Sequence, residues 1–168
     1  MSFEPAPTAL QRAFPAFLAI VGIGALVTAY TAEYAFGLEP CVLCLLQRIP
    51  YALIALIGWV GLKRPHWMSA GNLTAVAGFV FLAGAGLAVY HVGVEQHWWQ
   101  SATGCGGEVG KAVSATDLTA MLQSKPPKAC DEVDWTLFGV SMASYNAFFS
   151  FVLAGITFNV AKRIWVTS

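Results

Sequence analysis

Charge is what this chain has least of. Only 11% of its 168 residues are Asp, Glu, Lys or Arg, whereas a soluble domain carries roughly a quarter. That scarcity excludes an ordinary water-soluble globule, and nine basic residues balanced by nine acidic ones leave no positive excess to attract a nucleic acid. The two-residue alternation of a membrane barrel is missing. None of the glycines forms a dinucleotide-binding fingerprint, and there is no internal repeat or low-complexity tract. What remains is a chain that is 57% hydrophobic and holds four cysteines, placed unevenly.

Four segments lack charge, or nearly so, over the roughly 20 residues that cross a hydrocarbon core. They run from about 13 to 32, 42 to 62, 68 to 90 and 137 to 161, and Arg48 is the one charge inside the second. Lipid offers backbone polar groups no partner, so continuous helices are expected. The predicted fold is an all-α membrane protein: a single membrane domain, a four-transmembrane-helix bundle. The first apolar run, at about 20 residues, is longer than a signal peptide's apolar stretch and is read as a retained helix.

Basic residues set the expected orientation. Arg12, Lys63, Arg64, Lys162 and Arg163 fall on one side, which predicts cytoplasmic termini. The loops at about 33–41 and 91–136 then face the opposite compartment. The first is short, so Cys41 and Cys44 stay at the membrane surface, and Glu33 is expected to be a solvated loop charge. The second contains turn-forming glycines and the Pro126-Pro127 pair. Within it, residues 114–123 read as a short helix, with Ser114 and Asp117 as a loose capping box and Leu118, Met121 and Leu122 as an apolar stripe. Trp98, Trp99 and Trp135 fit an interfacial belt.

The chemistry concentrates in Pro40-Cys41-Val42-Leu43-Cys44-Leu45-Leu46-Gln47-Arg48-Ile49-Pro50. A Cys-x-x-Cys pair on a helical turn can cycle between dithiol and disulfide, and Arg48 falls on the same helical face. Four cysteines allow three pairings, and the sequence does not choose among them. Two structural disulfides are one alternative. A bridge closing so small a ring at Cys41 and Cys44 constrains little chain, however, so exchange chemistry explains that pair better. A four-cysteine zinc site is disfavoured by the wide spacing of Cys105 and Cys130, and no metal is expected. Helix-end amides and Arg48 favour a thiolate at Cys44. The arginine either snorkels or hydrogen-bonds an oxygen that gains charge on reduction. Pro50 is read first as an ordinary membrane-helix kink, and alternatively as loosening the helix near Leu46 beside a bound ligand.

This pattern resembles the DsbB family of disulfide bond formation proteins. Cys41-x-Leu-Cys44-x-x-Gln47-Arg48 heads the second span, Cys105 and Cys130 lie in a long second loop, and Trp135 to Met142 resembles the start of the family's fourth helix, with Ala143 where many relatives carry proline. The resemblance implies a bacterial inner-membrane protein-disulfide oxidoreductase, quinone-reducing, that reoxidises a periplasmic DsbA-like thioredoxin-fold partner. Its catalytic residues would be Cys41, Cys44, Cys105 and Cys130. Cys105 would form the mixed disulfide with the partner, and Cys44 would donate electrons to ubiquinone or menaquinone drawn from the lipid bilayer. Arg48 would hold the quinone oxygen, and His91 and Gln47 are further candidates for binding it. The competing readings are a non-enzymatic four-helix scaffold with structural disulfides and a vitamin K epoxide reductase-like enzyme, in which the redox motif would come later in the bundle.

Overall fold

The computed structural model describes residues 8–63, 68–103, 105, 128–133 and 135–167. Helix α1 spans Ala9–Phe36. Thr8 caps its start in a reciprocal capping box with Gln11, and Gly37, in the left-handed region at φ 68°, ends it. A short α2, Val42–Leu46, is followed by α3, Arg48–Lys63, and then α4, Ala70–Glu95. Strands β1, Thr136–Leu137, and β2, Val140–Ser141, form an antiparallel hairpin leading into α5, Met142–Thr167. Four spans, counting α2 and α3 as one, are long and apolar enough to cross a membrane. This is the expected helical membrane architecture.

The helices differ from the hydropathy reading at their ends and at one break. The second span is not continuous, because Gln47 interrupts it between α2 and α3. Pro50 has no N–H to donate to the Leu46 carbonyl, so the ladder opens one turn before it. Helix α4 continues past Tyr90 to Glu95, which makes His91 and Glu95 helical rather than loop residues. At the other end of the loop, the helix expected from 137 begins only at Met142, because Phe138 and Gly139, both at positive φ, turn the hairpin first. Hydropathy marks the part of a helix inside hydrocarbon, whereas helices run on until a cap or a turn stops them. The short helix expected at 114–123 lies outside the described residues, as do Arg64 and His66.

Packing joins α1 to α3 and α4 to α5, with α3 bridging the two pairs. Phe14, Leu18, Ile54, Ala77, Phe81 and Ala154 form the shared core. Large side chains such as Ile20, Ile23, Leu56, Phe79 and Phe148 point outward. In lipid that inversion is expected: helix association relies on close packing of small residues rather than on apolar burial from water. Buried Gly71, Gly78 and Gly84 of α4 accordingly let neighbouring side chains seat against its backbone: Trp165 and Phe158 of α5 lie over Gly71 and Gly78, and Pro50 of α3 over Gly84.

The α1–α3 crossing depends on two glycines. A Cβ on Gly22 would lie 2.5 Å from the Ala55 backbone nitrogen, and one on Gly58 would collide with the backbone of Ala19 and Pro15. Gly58→Leu should therefore force the pair apart and destabilise the bundle by about 1–3 kcal/mol. A thermal melt in detergent checks this: an unchanged midpoint would mean the two helices are not held at this distance.

Candidate functional site

Cys41 is the N-cap of α2, and its sulfur accepts the Cys44 backbone N–H at 3.2 Å. The two side-chain sulfurs are 2.9 Å apart and both cysteines are free thiols. Capping one turn of helix with a cysteine brings the second sulfur over the first, so only a small closure separates this dithiol from a disulfide at about 2.05 Å. Cys41 is buried and Cys44 is half-buried.

The hydrogen bond it shares with the Cys44 thiol and a further contact from His91 pull the Cys41 thiol down to about 4, against the opposing effect of burial. The helix cap thus favours a thiolate within the reduced pair. The capping sulfur is the one that receives the Cys44 backbone N–H. Since the folded value is depressed, the resulting stabilisation is complete above the ordinary thiol value of 9.0 and is lost as pH falls toward about 4. Titrating the ultraviolet thiolate absorbance of the reduced pair should give a midpoint far below 9.0. A midpoint at the ordinary value would remove this role of the cap.

A buried polar chain backs the pair. His91 of α4 reaches Cys41 Sγ with Nε2 at 3.6 Å, and its Nδ1 lies 2.7 Å from Gln47 Nε2. Gln47 Oε1 accepts from Asn146 of α5. Tyr51 of α3 donates to Asn146 Oδ1 at 2.5 Å and meets Ser150 at 3.1 Å. One turn beyond His91, Glu95 is 3.9 Å from Nε2 and accepts from Ser141 at 2.6 Å. Three helices therefore fix one imidazole. Gln47, expected as a direct ligand, has both amide atoms engaged in this chain, an arrangement the helix break makes possible. Sequence reasoning missed Asn146, Tyr51 and Glu95. The signal for Asn146 was present, because an amide inside an otherwise apolar span requires a partner.

Arg48, the first residue of α3, pairs with Glu33 at 2.7 Å, and its guanidinium lies 4.7 Å from the centre of the Tyr30 ring. Glu33 is not the solvated loop charge expected, since α1 extends beyond it and turns it toward α3. A half-buried arginine at a span's edge is stabilised by such a partner and by an aromatic face.

Cys105 and Cys130 form a disulfide with their Cα atoms 5.3 Å apart. It shares one buried cluster with Cys41, Leu43 and Val94, flanked by Cys44, Leu46 and Tyr90. The two cysteine pairs are thus packed together, one oxidised and one reduced. Trp99 does more than sit in an aromatic belt: its ring covers Gly93 and its N–H donates to the Tyr90 carbonyl at 3.0 Å. His97 Nε2 lies 3.9 Å from Asp131, beside the disulfide.

A cavity of about 340 Å³ opens onto all of this. Ala25, Leu26 and Ala29 of α1 give it an apolar wall, while Cys41, Cys44, Gln47, Arg48, His91 and Glu95 give it a polar end. Such a site accepts a flat apolar molecule and orients it by a few polar groups.

A family model described as disulfide bond formation protein DsbB matches residues 11–160. Disulfide bond formation protein B of Marinobacter nauticus is 32% identical over 155 residues, covering 86% of this chain and 88% of that protein. The protein of the same name from Albidiferax ferrireducens is 28% identical over 148 residues, with 84% and 79% covered. An uncharacterized protein of Rickettsia prowazekii is 30% identical over 131 residues, with 77% and 75% covered. No solved structure matches.

Proposed function

Because this chain belongs to the DsbB family of disulfide bond formation proteins, and so acts in disulfide bond formation as a multi-pass inner-membrane protein, we propose that it is a quinone-dependent thiol oxidase serving a periplasmic DsbA-like partner. The observation that carries this reading is the cavity, which joins the reducible pair Cys41 and Cys44 to the cation Arg48 beside an apolar wall. The cysteine end faces the periplasm in this reading. Arg12, Lys63, Lys162 and Arg163 lie at the other end of the helices and favour the cytoplasm.

The steps balance as two successive exchanges. A partner thiolate attacks Cys105, the less deeply buried residue of the disulfide at 6% exposure against 1% for Cys130. The partner leaves as a disulfide, and two electrons remain on Cys105 and Cys130 as thiols. These reduce a Cys41–Cys44 disulfide in turn, through contact within the shared cluster. After this internal exchange Cys105 and Cys130 are again a disulfide, and Cys41 and Cys44 are thiols.

A quinone, when bound, accepts two electrons and two protons from the dithiol. The residues present fit its headgroup. Arg48 would donate hydrogen bonds to an oxygen that becomes more negative on reduction, His91 would face it across the cavity, and the α1 wall would take the ring. His91 keeps Nε2 on Cys41 Sγ, and turning over the Gln47 and Asn146 amides moves its own proton to Nδ1 and lets Nε2 accept a thiol proton. Lipid access through the bilayer removes any need for a soluble nucleotide.

Acid trapping separates this reading from a scaffold with structural disulfides. When a reduced thioredoxin-like protein and a quinone are added, all four cysteines should pass through thiol states within one turnover. Static disulfides would sink the proposal.

A further inference from the structure

We propose that the reduced centre is also a binding site for a thiophilic d10 cation, Zn²⁺ or Cd²⁺, held by Cys41 Sγ, Cys44 Sγ and His91 Nε2. These three atoms lie within 4.8 Å of one another. They come from two different helices, so the site is built by the fold rather than by a local loop. From the oxidase reading it needs only that the Cys41 and Cys44 pair passes through its dithiol form.

Geometry fits a tetrahedral ion closely. With metal–sulfur bonds of about 2.3 Å and metal–nitrogen bonds of about 2.0 Å, ligand atoms sit roughly 3.5–3.8 Å apart. Cys41 Sγ to His91 Nε2 is already 3.6 Å. The sulfurs, at 2.9 Å, need to part by somewhat under an ångström, which is a small side-chain rotation for Cys44. Two soft thiolates and one imidazole select a d10 ion over Mg²⁺ or Ca²⁺, which prefer oxygen. The fourth position faces the cavity, where Glu95 or water can complete it, and the same opening is the route in.

The surrounding amides supply the support such a ligand requires. A metal-bound imidazole donates its second N–H to a fixed acceptor. His91 Nδ1 is 2.7 Å from the Gln47 amide, and Gln47 is joined to Asn146 and onward to Tyr51. Turning the Gln47 and Asn146 amides over together reverses the direction of the chain, so Gln47 accepts from Nδ1–H and frees Nε2 for the metal. Binding is not a redox step. The one thiol proton left on the pair goes to solvent, two metal–sulfur bonds form, and the imidazole proton moves from Nε2 to Nδ1.

The consequence is inhibition: an ion held there occupies both electron-donating sulfurs and blocks disulfide formation. The test uses the full chain in detergent, with Cys105→Ser and Cys130→Ser removing the other pair, reduced and titrated anaerobically with Cd²⁺ and no quinone or partner. One Cd²⁺ per chain should bind with an ultraviolet sulfur-to-metal band, and His91→Ala should weaken it at least roughly tenfold. X-ray absorption should show two sulfurs and one imidazole, an answer that does not depend on the histidine variant folding. Failure to retain the ion, or a spectrum with two sulfurs and no imidazole, overturns the proposal. Since neither quinone nor partner is present, the outcome is independent of whether the chain oxidises thiols.

Discussion

Cys44→Ser should lower quinone-dependent oxidation of a reduced thioredoxin-like protein by roughly three orders of magnitude or more, to the uncatalysed background. Only a second sulfur one turn from the first can close the Cys41–Cys44 ring, and a hydroxyl neither forms that bond nor carries electrons. The fold should survive the change. Cys44 is half-buried, and its backbone N–H, which Cys41 caps, is untouched. The variant should therefore melt within a few degrees of the parent while turning over no quinone. Exchange at the other pair is separable: the partner should still form a mixed disulfide with Cys105, because that step needs no second acceptor. Residual turnover within tenfold of the parent would show that electrons leave by another route.

The second large effect is expected at Arg48. Removing a charged hydrogen-bond donor costs about 1.5–3 kcal/mol, so Arg48→Ala should raise the Michaelis constant for quinone by roughly ten- to a hundredfold. The turnover rate should fall less. The ion pair with Glu33 complicates a simple reading, since the alanine variant also strands a half-buried carboxylate. Glu33→Gln in the same background restores neutrality and separates the two contributions. If the double variant regains quinone affinity, the loss came from the stranded Glu33. If the Michaelis constant stays high, the guanidinium itself was the donor. Arg48→Lys should recover only part of the affinity, because the ammonium keeps the charge but loses the planar fork and its contact with the Tyr30 ring. An unchanged constant with full turnover in Arg48→Ala would leave that arginine as an interfacial anchor paired to Glu33.

Much of the fold was legible in one dimension, because lipid imposes a simple rule. A run without charge must become a helix, and the four runs did so. The cysteine centre was legible for a related reason: a Cys-x-x-Cys motif encodes its own geometry across one helical turn. The departures come from physics that hydropathy does not contain. Hydropathy could not show that α1 continues past Glu33, because a helix entering the interface loses no hydrogen bonds by going on until Gly37 stops it. Nor could it show that Gln47 breaks the second span, although Pro50 gave the direction of that effect. Asn146 and Glu95, distant in sequence from the cysteines, became site residues only once α4 and α5 were packed side by side. The pairing of Cys105 with Cys130 needed coordinates as well, since spacing alone left three possibilities.

His91 illustrates the gap between a sequence candidate and a placed residue. Alone at a helix end it reads as an anchor as easily as a participant. Buried, 3.6 Å from Cys41 and locked by Gln47, it becomes an imidazole set directly against the dithiol.

The most direct measurement is an anaerobic titration of the reduced Cys105→Ser/Cys130→Ser protein with a water-dispersible quinone, followed by thiol counting and quinol quantification. The account predicts one quinol formed for each Cys41–Cys44 disulfide, and that this yield is lost in Cys44→Ser. Thiols that stay free while excess quinone remains unreduced would contradict it.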